Sequence, residues 1–264
     1  MAQELRDNDP FYKNWHDLIS PETLAVNEET LTKSYGKFVC QPLERGFATT
    51  IGNSLRRIML SSIRGAAITA VRLNDALHEF TTIEGVHEDV SDIILNLKQV
   101  RVKLHTPEQR TVRLEKKGPC EVTAADINGA GVVEVMNPDQ HICTITGDVS
   151  LKAELTVEWG KGYVTAELNK REDQPIGVIP LDAAFSPIVR MQYTVGQARV
   201  GQQTDYDRLT LEIETDGSVG PRNALAYAAK ILKEQMTIFI NFDEEIAKAL
   251  TKRSEERRVG KECR

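Results

Sequence analysis

The sequence predicts an α+β protein from three observations. One is a period-two run. Val149, Leu151, Ala153, Leu155, Val157 and Trp159 alternate with Ser150, Lys152, Glu154, Thr156 and Glu158, the pattern of a half-buried antiparallel strand. Another is a pair of segments with apolar residues at helical spacing, at about residues 49–62 and 221–242, near the two ends of the chain. The third is element order, which is neither alternating βα nor all-β, with strand signals massed after Lys98 for some 60 residues. The β-rich middle therefore reads as inserted between two helix-bearing ends. No internal repeat is visible.

Composition narrows the class further. A chain of 264 residues buries one good core or two smaller ones. Its 41% hydrophobic and 27% charged content is that of an ordinary soluble globular protein. No run approaches the roughly 18 apolar residues of a membrane-spanning helix. The first residues, MAQELRDNDPFYKNW, lack the basic-then-apolar layout of a secretory signal, so a cytoplasmic location is expected. Cys40, Cys120, Cys143 and Cys263 show no metal or redox spacing and read as reduced, mostly buried thiols. The net charge of −6 argues against a broad phosphate-gripping face. Residues 252–264, KRSEERRVGKECR, carry a net +3, which leaves −9 on the body. That segment has no apolar period, and residues 251–264 are read as a non-native or disordered tail.

Along the chain, residues 1–30 form a leading arm broken by Pro10 and Pro21, with Phe11, Tyr12, Trp15, Leu18 and Ile19 giving it docking potential. A strand is expected near residues 34–40. The segment LERGFATTIGNSLRRIMLSS (43–62) then joins a glycine-containing loop to a helix whose Ile51, Leu55, Ile58, Met59 and Ser62 share one face. Residues 67–73 read as a strand. Val90, Ile93, Ile94 and Leu97 make a short helix, and Val100, Val102 and Leu104, then Val112 and Leu114, alternate as strands. Gly118-Pro119, Asn128-Gly129 and Asn137-Pro138 mark turns. Pro175, Pro180 and Pro187 punctuate a connection before strands at 188–195 and 209–215. Asp216-Gly217 turns the chain, and Pro221 after Gly220 opens a helix. Ala224, Ala228, Ile231, Leu232, Gln235, Phe239 and Phe242 lie on one side of it, widened by Leu225, Tyr227, Met236 and Ile238. Burial on the chain's own sheet and burial against another subunit both account for so wide a coat.

Candidate chemistry is thin. Gly46 and Gly52 are separated by five residues where a Walker loop has four, and Asn53 stands at the lysine position. Asp205 and Asp207 could share a divalent cation, but acidic residues ahead of a strand commonly shape a turn. None of His16, His78, His87, His105 and His141 has metalloprotease spacing. Glu88 and Asp89 suit the positive end of the helix that follows. No Gly-x-Ser-x-Gly elbow or dinucleotide fingerprint appears. No catalytic, cofactor or metal residue is expected. Arg56 and Arg57 face away from the apolar stripe with Leu60 beside them. Arginine next to an exposed leucine points to a docking surface.

Longer motifs carry a resemblance. LERGFATTIGNSLRRIMLSSIRG (43–65), LHEFTTIEGVHEDVSDIILNLK (77–98), VTAADI (122–127), GKGYV (160–164), PIGVIPLDAAFSPIVRMQYTV (175–195), ARVGQQTDYDRLTLEIETDGSVGP (198–221) and AYAAKILKEQMTIF (226–239) together cover about residues 33–243. The chain closely resembles the N-terminal domain of the alpha subunit of bacterial DNA-directed RNA polymerase. The resemblance implies a discontinuous dimerisation subdomain, a sheet plus two helices, from residues 1–65 and 190–250. It implies an inserted β-rich subdomain at 66–189. Two copies would pair through Ile51, Leu55, Ile58, Met59, Ala228, Ile231, Leu232 and Phe239. The homodimer would be the assembly platform of the polymerase, docking the β subunit through Arg45, Arg56, Arg57 and Leu60. It would dock the β′ subunit through Lys98, Leu181 and Ile188, with omega and sigma joining in the holoenzyme.

Nucleotidyl transfer would belong to β and β′, and no cofactor is implied. The location would be cytoplasmic and nucleoid-associated. The family's C-terminal DNA-binding domain would follow beyond about residue 250, so no direct DNA binding is expected from these residues. Two alternatives are a metal- or nucleotide-dependent enzyme using Asp205, Asp207 or the 46–54 loop, and a DNA-binding module using the basic tail.

Overall fold

A computed structural model describes residues 18–239 except 20, 22, 75, 172–173 and 201–202, with backbone alone for Val200, Gln203 and Thr204. The elements run β1 (Leu24–Val26), β2 (Tyr35–Leu43), α1 (Phe47–Ser62), β3 (Arg64–Leu73), α2 (Val90–Gln99), β4 (Val102–Leu104), β5 (Arg110–Lys117) and β6 (Cys120–Thr123). They continue β7 (Ile127–Asn128), β8 (Val133–Val135), β9 (His141–Ile145), β10 (Ser150–Lys161), β11 (Tyr163–Val164) and α3 (Ala166–Asn169). Then come β12 (Val178–Pro180), β13 (Ala183–Ala184), β14 (Ile188–Val200), β15 (Gln203–Thr215) and α4 (Pro221–Thr237). The class is α+β, strand-rich with few helices.

The chain's two ends build one antiparallel sheet, ordered β1-β2-β15-β14. The helices α1 and α4 touch each other and pack on this sheet. Its core joins Phe38, Leu43, Leu209, Leu211 and Ile213 to Leu55 and Met59 of α1 and to Ala224, Leu225 and Ala228 of α4. Strand β2 runs through Pro42 to Leu43, further than expected. Its register against β15 shifts between the Leu43–Asp207 and Cys40–Leu209 pairs, and a proline is tolerated at such a bulge because no ladder N–H is required there.

A seven-stranded sheet, β7-β5-β10-β3-β4-β8 with β12 also on β3, fills the middle of the chain. Its core holds Val71, Leu97, Leu114, Leu155, Val157 and Leu181, and α2 contributes Val90, Ile93, Ile94 and Leu97. Strand β10 is the central ladder, paired along its length with both β3 and β5. Leu151, Ala153, Leu155 and Val157 face inward. Trp159 departs from the expected alternation and is 39% exposed. A register shift between Thr156 and Val157 precedes it, and its indole N–H donates to the Thr106 carbonyl at 2.7 Å.

The two sheets meet where β3 leaves α1. Ala67, Ala183 and Phe185 form a small cluster there. A Cβ on Gly65 would sit 2.0 Å from the Phe185 carbonyl oxygen, so only glycine permits that approach of the strand to the returning chain.

Candidate functional site

The α1 segment is fixed at its start before its outer face is presented. Gly46 has φ 90°, a left-handed value that glycine adopts freely. Its N–H donates to the Asp207 carboxylate at 2.8 Å. The helix begins at Phe47, slightly earlier than the expected 49. Asp205 and Asp207 lie within β15 rather than ahead of it, and Asp207 serves the α1 turn. Among the described residues, no group of three or more His, Cys, Asp or Glu side chains is arranged to hold a metal.

Arg45, Arg56, Arg57 and Leu60 are all exposed. The four gather on the turn before α1 and on its outer face. Arg56 lies 5.7 Å from the Tyr193 ring centroid, a cation–π arrangement that holds its stem against the sheet, and it reaches Asn53 Oδ1 at 3.5 Å. Arg57 and Leu60 point away from the sheet.

The eight residues expected between two copies fall into three groups. Leu55, Met59 and Ala228 are buried in the chain's own core. The i, i+4 stripe of α1 and the small Ala224/Ala228 pair let the helices seat directly on the sheet. Ile51, Ile58, Ile231 and Leu232 are half-buried. Phe239 is 75% exposed, next to Ile238 and near Met236, which is 52% exposed. Tyr227 is exposed as well. The apolar coat of α4 is thus covered along the side that meets the sheet and bare at Tyr227 and Met236 and just past the helix end. Phe242 lies outside the described residues.

Leu181, just after β12, and Ile188, at the start of β14, are buried in the chain's own cores, one in each sheet's core. Val189 is exposed beside Ile188, and Asp182 follows Leu181. Lys98, Asp182, Ser186, Ile188 and Val189 line one cavity of about 350 Å³ between the two sheets. Lys98 Nζ is 2.7 Å from Asp182 Oδ2. That ammonium first, and then the Ala166 N–H, holds the Asp182 carboxyl below the ordinary carboxylate range. Sequence reasoning missed Asp182, because its partner is 84 residues away.

A second polar cluster lies at the start of α2. Asp89 is the N-cap residue but makes no side-chain cap bond. Glu88, expected to serve the helix end, turns instead to β9. It accepts from the Thr144 N–H at 2.7 Å and approaches His141 Nε2 at 3.0 Å. His141 Nδ1 is 2.8 Å from Glu121. Glu88 chiefly raises the imidazole pKa, against burial and with help from Glu121. Burial pushes the Cys143 thiol up to about 12, so it is unreactive at neutral pH. Cys40 and Cys120 are only half-buried, and Cys263 lies outside the described residues.

Residues 71–186 match the family described as RNA polymerase Rpb3/RpoA insert domain, which defines the class as an RNA polymerase subunit carrying that insert. The DNA-directed RNA polymerase subunit alpha of Desulfotalea psychrophila is 61% identical over 244 residues, covering 92% of this chain and 71% of that protein. Its counterpart in Geobacter metallireducens is 56% identical over 247 residues, covering 94% and 73%. That of Pelobacter propionicus is 58% identical over 234 residues, covering 89% and 69%. The chain belongs to the family of DNA-directed RNA polymerase alpha subunits. It is accordingly part of a nucleotidyltransferase complex. No helix among the described residues is long and apolar enough to cross a membrane.

Proposed function

We propose that two copies of this chain pair through α1 and α4 and form a non-catalytic platform for the β and β′ subunits. Residues 1–65 and 190–250 act as the dimerisation subdomain, and residues 66–189 act as the insert. The observation that carries this is the run of exposed apolar side chains along and just beyond α4. Tyr227 and Met236 on the helix and Ile238 and Phe239 after its last turn are exposed, and an apolar helix covered on only one side is completed by a partner. A two-fold pairing would bring Ile51, Ile58, Ile231, Leu232 and Phe239 of both copies together.

The α1 patch of Arg45, Arg56, Arg57 and Leu60 then faces β, and the Lys98 side of the insert faces β′. Omega and sigma join at the level of the holoenzyme, in the bacterial cytoplasm at the nucleoid. Direct DNA contact is not part of this reading. In sedimentation the chain is expected to be a dimer. Arg57→Ala should keep that dimer and weaken capture of β by ~10-fold, in the range of an interface arginine. Unchanged capture would remove Arg57 from the docking surface.

A further inference from the structure

Lys98 lies in the last turn of α2, and its ammonium is partly covered. Its ammonium meets Asp182 Oδ2 at 2.7 Å, and both side chains are about two-thirds covered at 31% exposure each. The other oxygen, Asp182 Oδ1, accepts the N–H of Ala166, the first residue of α3, at 2.8 Å. The Tyr163 side chain of β11 lies on the same side and adds a smaller stabilising contribution to the carboxylate. The backbone beside Asp182 is pinned as well. Leu181 N–H donates to the Thr69 carbonyl at 2.8 Å, and Asn169 Nδ2 donates to the Leu181 carbonyl at 2.7 Å. One carboxylate therefore ties the end of α2 and the start of α3 to the loop that closes the cavity between the sheets.

One of the three N–H donors of Lys98 is committed to Asp182, and that bond fixes where the ammonium sits. Charge-assisted bonds of this length are the strong ones, and a carboxylate held by donors on both oxygens keeps its surroundings in one arrangement. We propose that Asp182 is the positioning residue of this surface, and that Lys98 supports engagement of the large subunit through Asp182 rather than by touching that subunit. The inference rests on the reading that this side of the insert engages β′.

The test is a double-mutant cycle in the whole chain, with Lys98→Met, Asp182→Asn and the pair. Affinity for β′ is measured on the alpha dimer already bound to β, and hydrogen exchange is followed at the Ala166 amide. If Lys98 acts through Asp182, each single variant should weaken β′ capture by ~10-fold and the pair by no more than Asp182→Asn alone. Lys98→Arg should recover most of the affinity. Exchange at Ala166 should accelerate in Asp182→Asn and, to a smaller extent, in Lys98→Met. If Asp182→Asn fails to fold, Asp182→Glu takes its place, since it keeps the charge but moves the oxygens by one methylene. Additive losses approaching ~100-fold in the pair would mean that Lys98 touches the partner directly, and would overturn the proposal. So would full β′ capture by the Asp182 variant. A wild-type dimer that binds β but never β′ would remove the underlying reading, and the inference with it, whatever the Ala166 amide does.

Discussion

The inserted sheet and the sheet made from the chain ends are both antiparallel, but they finish their cores differently. The insert covers its main ladder from within one chain. Leu155 and Val157 at its centre are fully buried, and α2 gives four buried residues to the same core. Its exposed apolar side chains are spread singly, Leu77, Phe80 and Ile176 on connecting loops and Leu95, Trp159, Tyr163 and Leu168 on the outer sides or ends of its helices and strands. The end-built sheet has two helices for cover, yet Met236, Ile238 and Phe239 at and after the end of α4 stay exposed. An apolar stripe in sequence says that a helix is to be buried, and the length of the sheet beneath decides how much of that burial one chain can supply.

This contrast can be broken at three points. Leu155→Ala should cost ~2–5 kcal/mol in chemical denaturation, as a cavity in a close-packed core does. Self-association of the folded protein should not change. A loss of dimer in that variant would mean that the insert and the end-built sheet are one cooperative unit. Phe239→Asp should do the reverse. Its own protomer should shift by no more than ~0.5 kcal/mol, as surface substitutions do. Dimer affinity should fall ~30-fold or more, about 2 kcal/mol. A dimer of unchanged affinity in sedimentation would show that the bare end of α4 serves some other contact.

The smallest effect lies in the insert's ionic clamp, where His141 stands between Glu88 and Glu121. A histidine whose pKa is raised by folding adds stability that is complete below its ordinary value of 6.5. That stability is lost as pH rises through the raised folded value. With the ring over one-third exposed, solvent screening limits the loss to ~0.5–1 kcal/mol. Melting of the insert followed from about pH 6 to about pH 9 should show the decline, and His141→Gln should flatten it. A decline of equal size in that variant would assign the pH dependence to another group.

Much of this was legible from periodicity. The alternation from Leu151 to Val157, the stripe of α1, the Gly220-Pro221 start of α4 and the Asp216-Gly217 turn all describe local structure, and local structure leaves a local signal. Burial was legible too, but its owner was not. Leu55, Met59, Ala228, Leu181 and Ile188 are as apolar as residues that face a partner, and only the three-dimensional path shows that their cover comes from the same chain. Trp159 was misread because the alternation of β10 runs on past Val157, the last fully buried residue of that face, and nothing in the sequence marks where the cover ends. Asp182 with Lys98 and Glu88 with His141 were invisible for a different reason. Such pairs form across 84 and 53 residues, where no spacing rule operates.

The crossing at Gly65 and Phe185 also bears on how the molecule is made. The end-built sheet cannot close when its first half leaves the ribosome, because Gly46 waits for Asp207, 161 residues downstream. At bacterial synthesis rates that is a delay of roughly ten to thirty seconds. The insert, complete in itself, can fold during that interval. By gathering its own two ends at the crossing, it turns a long loop into a short one for the strands that must still find each other, which removes much of the entropic cost of joining them. The nascent β2 and α1, apolar and unpaired, are what a chaperone would meet first.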